Sequence, residues 1–306
     1  MKYPMIKQPS IYRAELPALE KVQEGVSTLP FNELPIGSSL VFSRGFIVNE
    51  VTGELVTPIE GGYAFAFRSD DKVIPTSEII KRTAERVKAA TDLLSGKKLS
   101  KAERLAIRDD VVAELAARAF TKTTVLECYY HAANKLLFVN GSKKMAGFAV
   151  GALVKAIGQV ATTTIHIDGV KVGLTNLLKP IADQTNDDFS ASGFAGLEVL
   201  GSIKLEHPDT GERLGFDGIT PSDCEELRSA MDRGFLVTSI RMGDDVVSFT
   251  LNSSFEIGGV KWSNTKAEGD DMAFAWRTEA SIQLLCLTGI VERLIAELQK
   301  GKADEQ

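Results

Sequence analysis

The chain has 306 residues, 44% of them hydrophobic and 25% charged, with a formal net charge of −6. This balance is typical of a folded globular protein and excludes global disorder, and the length predicts more than one structural unit. The three cysteines, Cys128, Cys224 and Cys286, form no CxxC pair, which argues against a disulfide framework or a zinc knuckle. No signal-peptide core or membrane-length apolar stretch is found, so we expect a cytoplasmic protein without membrane contact.

The positive charge is concentrated in one region. Residues 72–155 hold 16 basic and 8 acidic side chains, a net of +8. Residues 1–71 hold 6 and 9, a net of −3, and residues 156–306 hold 13 and 24, a net of −11. Because local charge sets the local field, nucleic acid is the first partner to consider.

The first 75 residues are predicted to form short strands and turns, with strands at 39–48 and 62–69. Apolar residues at three- and four-residue steps then predict a helix over 79–94, with Gly96 as its stop. Ser100 and Glu103 form a capping-box signature for a second helix that extends to about Ala119. Two helices so closely joined predict an antiparallel hairpin that projects from the protein.

Strands are predicted at 123–130 and 135–140, followed by a helix over 142–158 and a strand over 160–167. In the acidic half, Thr220 and Pro221 open a helix that ends near Gly234. Strands follow at 235–242 and 245–252, and the last helix runs over 279–299. The sequence therefore predicts an α+β fold in three parts: 1–75 with 123–180, the hairpin 76–122, and an acidic unit 181–306.

The hairpin carries segregated charge on its second helix. Lys101, Arg104 and Arg108 fall within an arc of about 60°, away from Glu103 and the other carboxylates. One face could therefore follow phosphates, but an ordinary surface pair of helices with salt bridges explains the pattern equally well. The candidate DNA-binding residues are Lys81, Arg82, Arg86, Lys88, Lys97, Lys98, Lys101, Arg104, Arg108, Arg118, Lys122, Lys143 and Lys144.

Lys143 and Lys144 follow Gly141 and Ser142 between a strand and a helix, where backbone amides favour an anion. The chain lacks the GxxxxGK[ST] loop, so Ser142 as a simple helix cap is the favoured interpretation. Phe120, at the hairpin base, is either a core residue or an apolar contact for self-association.

The sequence gives no positive argument for an enzyme, a cofactor or a bound metal. Its adjacent acidic pairs, at 109–110, 187–188, 244–245 and 270–271, point apart on regular structure and are typical of turns or helix ends. His131, His166 and His207 are isolated, and we expect His131 to be a surface residue of a turn. No GxSxG elbow is present.

Three segments resemble the bacterial recombination-associated RdgC family. They are DKVIPTSEIIKRTAERV, KKLSKAERLAIRDDVVAELAARAFTKTT and NKLLFVNGSKKMAGFAVGALVKAIGQV, and the C-terminal FAWRTEASIQLLCLTGIVERLIAEL is also similar. The family's tryptophan-containing segment, G-W-x-P, reads Gly45-Phe46-Ile47-Val48 in this chain.

The resemblance implies a horseshoe-like α+β subunit and a ring-shaped homodimer with a positive central hole. It implies sequence-independent binding of double-stranded DNA, with single-stranded DNA as a further candidate, in the nucleoid. It also implies restraint of recombination, by obstruction of a RecA-type recombinase, and a place for Phe120 in closing the ring. Two alternatives stay open: a protein-binding module that uses the basic hairpin, and a metal-dependent exonuclease.

Overall fold

Two antiparallel sheets and seven α-helices form the described part of the chain, which confirms the predicted α+β class. The computed structural model describes residues 5–94, 98–158, 160–183, 196–263 and 271–300. The helices are α1 (Leu19–Ser27), α2 (Thr76–Leu93), α3 (Lys101–Arg118), α4 (Lys143–Ile157), α5 (Val170–Ala182), α6 (Glu225–Asp232) and α7 (Met272–Lys300). None of the helices in these ranges is long and apolar enough to cross a bilayer.

The first sheet has seven strands in the order β2-β4-β5-β6-β1-β7, with β3 also paired to β4. Its strands are β1 (Pro9–Ala14), β2 (Phe42–Ile47), β3 (Val56–Ile59), β4 (Gly62–Lys72), β5 (Thr121–His131), β6 (Leu136–Asn140) and β7 (Thr162–Thr164). The long β4–β5 ladder runs from Gly62 opposite His131 to Lys72 opposite Thr121. The α2–α3 hairpin therefore begins and ends at the same end of these two neighbouring strands.

The second sheet has five strands in the order β12-β11-β10-β8-β9. They are β8 (Glu198–Glu206), β9 (Arg213–Phe216), β10 (Leu236–Gly243), β11 (Val247–Asn252) and β12 (Ile257–Trp262). A short 3-10 helix, Pro221–Asp223, precedes α6, so the helix predicted from Pro221 to Gly234 is interrupted at Cys224.

Helix α1 was not predicted, because the sequence indicated only strands and turns in the first 75 residues. Its N-cap residue Ala18 makes no side-chain hydrogen bond, so the usual start signal is missing. Packing stabilises this helix. Val22 and Val26 are buried, and a Cβ added at Gly25 would lie 3.0 Å from the Ala156 carbonyl oxygen. Tertiary contact with α4 thus outweighs weak local signals.

The two faces of the first sheet are covered by different elements. Phe46 and Phe67, on one face, pack in a core with α1 and α4. Tyr129, on the other face, stacks on Trp276 of α7, with ring centroids 6.5 Å apart. That second core continues without interruption into the second sheet, so α7 joins the two sheets through buried apolar contacts. It begins seven residues before the predicted start at 279.

The hairpin is covered very little by the rest of the molecule. Helix α2 has no buried residue, and only Val111 and Ala116 are buried in α3. The predicted capping box is confirmed: the Glu103 amide donates to the Ser100 hydroxyl at 3.3 Å, and the Ser100 amide donates to the Glu103 carboxylate at 2.7 Å. Local capping and contacts between the two helices therefore maintain this element.

Candidate nucleic-acid interface

Nine of the predicted cations are exposed and form no ion pair among the described residues. They lie on both helices of the hairpin, at its base and at the start of α4. They are Lys81, Lys88, Lys98, Lys101, Arg104, Arg108, Arg118, Lys122 and Lys144. Charges in this state are available to a polyanion, because no carboxylate in the described part of the chain lies within salt-bridge distance of them. Lys97, also predicted, lies outside the described residues.

The first half of α3 is the most accessible part of this set. Every side chain from Lys101 to Asp110 is exposed except Ile107, which is half-buried. Lys101, Arg104 and Arg108 therefore stand on a stretch of helix that the protein itself does not cover. Long Lys and Arg side chains can contact phosphates without a preformed pocket, so such a row can follow a nucleic-acid backbone.

Arg82 and Arg86 have a different environment, although both were predicted to contact DNA. Arg82 donates to Glu78 at 2.6 Å and to Glu114 of α3 at 3.4 Å, and Arg86 also donates to Glu114. The hydrogen bond between Arg82 and Glu78 raises the pKa of Arg82 and lowers the pKa of Glu78. These two arginines form the salt bridges that the alternative interpretation predicts, and they tie α2 to α3.

Lys143 and Lys144 are neighbours with different surroundings. Lys143 pairs with Glu256 of the turn between β11 and β12, and that hydrogen bond lowers the pKa of Glu256. Lys144 is exposed. Ser142 occupies the N-cap position of α4, as predicted, but its side chain makes no capping hydrogen bond. Both lysines are exposed, and among the described residues only Lys143 of the two forms an ion pair.

The Lys143–Glu256 pair lies beside a cleft of about 670 Å³ between the two sheets. Both residues line it, and its walls are rich in hydroxyl groups, including those of Ser10 and Thr250. The Asn252 side chain donates to Glu256 at 2.8 Å and accepts from the Glu256 amide at 3.0 Å. The carboxylate is therefore fixed by its own turn while it pairs with Lys143 at the start of α4.

Phe120 is 89% exposed, so the interpretation of this residue as part of the core is wrong. It directly follows α3 at the base of the hairpin, and its carbonyl oxygen accepts from the Val73 amide at 2.9 Å. Val73 is itself exposed. An apolar surface thus lies beside the cations of the hairpin base, including Lys122, which is two residues along the chain.

Sequence reasoning missed an arginine held between two aromatic rings on the first sheet. The guanidinium carbon of Arg44 lies 4.3 Å from the ring centroid of Phe42 and 3.6 Å from that of Phe148 on α4. Arg44 also donates to Asp71 at 2.9 Å and to Ser69 at 3.0 Å. Alternation along β2 could have placed Phe42 and Arg44 on one face, but Phe148 lies too far away in sequence.

No group of three or more His, Cys, Asp or Glu residues in the described ranges could hold a metal ion. Asp244 and Asp271 accept hydrogen bonds from nearby backbone amides, as expected of turn and helix-end residues. The pairs predicted at 187–188 and, in part, 270–271 lie outside the described residues.

His131 is buried, and this corrects the expectation that it lies on the surface. Burial lowers the pKa of His131, and its ring accepts from the Asn134 amide at 3.2 Å. His131 therefore belongs to the turn that joins β5 to β6, and its ring stabilises that turn through the hydrogen bond from Asn134.

A family model described as "Putative exonuclease, RdgC" matches residues 5–301. The chain is similar to the recombination-associated protein RdgC of Sodalis glossinidius, with 24% identity over 98% of both chains. It is 23% identical to the RdgC of Psychromonas ingrahamii, again over 98% of both. With the RdgC of Actinobacillus pleuropneumoniae serotype 5b, identity is 36% over 66% of this chain and 64% of the relative.

Proposed function

This chain belongs to the RdgC family, and from that premise we propose that it is a sequence-independent DNA-binding protein that clamps double-stranded DNA as a homodimer. The observation that carries the proposal is the set of nine exposed cations with no ion pair among the described residues, of which three follow one another along α3. Relatives of the chain are named recombination-associated proteins, which gives such a surface a polyanion to bind.

The affinity of this surface is electrostatic in origin. A cation that neutralises a phosphate releases condensed counterions, so binding weakens steeply as salt rises. Neither α2 nor α3 carries an Asn or Gln that could read base edges, and exposed lysines on a hairpin contact phosphates without reading sequence. We therefore expect similar affinity for duplexes of unrelated sequence.

Self-association supplies the second half of the proposal. Phe120 presents an apolar ring at the hairpin base, where a second copy could cover it and bring two basic surfaces around one duplex. The proposed consequence is that bound protein obstructs the filament of a RecA-type recombinase. The proposal assigns no cleavage: the protein acts by occupying DNA.

The test is fluorescence anisotropy with a ~30-base-pair duplex, titrated from low to physiological salt, with magnesium and with EDTA. Tight binding with a steep salt slope, equal for two sequences, and an intact probe would support the proposal. Magnesium-dependent shortening of the probe would favour the exonuclease alternative. Absence of binding at low salt would favour the protein-binding alternative for the hairpin.

Encirclement has its own test. Protein loaded at low salt onto a closed circular plasmid is washed with high salt, and the same plasmid is linearised as the matched control. A closed clamp stays on the circle and slides off the linear form. Equal loss from both substrates would contradict encirclement and leave simple surface binding.

A further inference from the structure

The stack of Phe42, Arg44 and Phe148 is a surface feature that duplex binding does not use. Arg44 lies between the two rings, and its guanidinium is fixed by hydrogen bonds to Ser69 and Asp71. Ser69 is fully buried, which anchors that end of the network. The stack is thus rigid before any ligand arrives, so the protein loses little conformational entropy when a ligand binds to it.

Phe42 forms the outer end of this stack. One face of its ring is covered by the Arg44 guanidinium, yet the residue is 50% exposed. The solvent-exposed half of Phe42 therefore lies away from the face that Arg44 covers. A flat aromatic group placed there would continue the alternation of ring, guanidinium and ring that the protein already makes.

Two exposed lysines lie near the two ends of this stack. Phe42 on β2 pairs with Asp71 on β4, and Asp71 pairs with Lys122 on β5, so the three residues lie abreast on one face of the sheet. Two strand spacings amount to roughly 10 Å between Phe42 and Lys122. Lys144 lies one helical turn before Phe148, at the other end of the stack. The charge of Asp71 is already offset by Arg44.

A single aromatic ring near a lysine that forms no ion pair among the described residues matches the chemistry of a nucleotide with an unpaired base. Stacking on an aromatic side chain requires the open face of a base, and a duplex hides that face between its neighbours. A phosphate next to the base would approach Lys122, which lies abreast of Phe42 on the same face of the sheet. A duplex bound to the hairpin offers its backbone only, so it gains nothing from Phe42.

We propose that Phe42 is a stacking site for one unpaired base of single-stranded DNA at the base of the basic hairpin. The inference rests on the proposed function, because it assumes that DNA reaches this face, and it adds a site with a distinct substrate class. It gives the protein a means to hold a single strand where it leaves a duplex.

The test compares Phe42→Leu, which keeps apolar bulk but removes the aromatic face, with Phe42→Trp, which keeps that face. Phe274→Leu is the matched control, since Phe274 is an exposed phenylalanine on α7, which packs against the opposite face of the sheet. Anisotropy is measured with a ~15-base single strand and with a duplex. Far-UV circular dichroism and the melting temperature establish that each variant is folded.

We expect Phe42→Leu to weaken single-strand binding by about tenfold, the typical contribution of one stacked base, while duplex affinity changes less than about twofold. Phe42→Trp and Phe274→Leu should bind both substrates like the unmodified protein. A strand in which abasic sites replace the bases should bind the unmodified protein and Phe42→Leu equally.

An unchanged single-strand affinity, or equal loss on both substrates, would overturn the stacking site and leave duplex binding intact. Failure of the unmodified protein to bind duplex would instead count against the proposed function. Photo-crosslinking of the unmodified protein to 5-iododeoxyuridine DNA decides the case if Phe42→Leu does not fold. Attachment at Phe42 supports the site, and attachment only elsewhere refutes it.

Discussion

Neutralising the row on α3 tests the proposed interface most directly. The variant Lys101→Gln/Arg104→Gln/Arg108→Gln removes three positive charges from an exposed stretch of helix where none makes an ion pair among the described residues. Exposed substitutions of this kind change the free energy of unfolding by about 0.5 kcal/mol or less, so folding is expected to survive. The loss should appear in DNA affinity.

The magnitude follows from counterion release. Each phosphate contact contributes about 0.9 to the slope of log affinity against log salt, so three contacts contribute about 2.7. Between 50 and 200 mM salt the fourfold change then costs the unmodified protein roughly 40-fold more affinity than the variant. Anisotropy titrations at four or five salt concentrations measure both slopes.

The matched control removes the same charge from the acidic half. Lys171, Lys179 and Arg213 each pair with a carboxylate, at 2.9, 3.1 and 3.3 Å. Their replacement by Gln lowers the net charge equally but should leave the salt slope unchanged. Parallel salt lines for the α3 variant and the unmodified protein would refute the interface. An equal fall in the control would show that total charge, and not this helix, governs binding.

Phe120→Ala should raise the dissociation constant of the dimer in sedimentation velocity and leave the melting temperature nearly unchanged, since the ring is exposed; a large fall in melting temperature, with dimerisation intact, would contradict this. Ser100→Ala should cost about 1 kcal/mol through loss of the capping box, and calorimetry measures it. A double-mutant cycle with Lys143→Met and Glu256→Gln should give a coupling of about 0–1 kcal/mol at pH 7. Because the pKa of Glu256 is lowered in the folded protein, this coupling is complete above its ordinary value of 4.5 and is lost as pH falls from there through the lowered value.

Local patterns predicted the fold best where neighbours in sequence decide the structure. The capping box at Ser100 and Glu103 needs only four consecutive residues, and the structure forms it. The β5 and β6 strands follow from apolar runs that flank a short turn. In contrast, α1 depends on contact with Ala156, which is more than 100 positions later, so its own sequence gave no adequate signal.

The candidate site divides in the same way. Exposure of the α3 cations follows from their position on a polar helix, which the sequence predicts. The sequence does not predict the partners of Arg86 and Lys143. Glu114 lies 28 positions from Arg86, on another helix, and Glu256 lies 113 positions from Lys143, in the turn between β11 and β12. Side chains of the same type thus acquire different roles from tertiary contacts, and composition cannot separate an available cation from an engaged one.

The acidic total of the chain is compatible with DNA binding because charge acts over short distances in salt. At physiological ionic strength the Debye length is about 8 Å, so carboxylates farther than this from the hairpin oppose a bound phosphate only weakly. We therefore expect the net charge of −11 on residues 156–306 to act mainly on the orientation of the encounter: it should repel a duplex that approaches the acidic half and leave the hairpin as the favoured approach. Below about 20 mM salt the screening length exceeds 20 Å and repulsion reaches the hairpin. For this reason the salt comparison on α3 belongs between 50 and 200 mM, where the local cations alone set the slope.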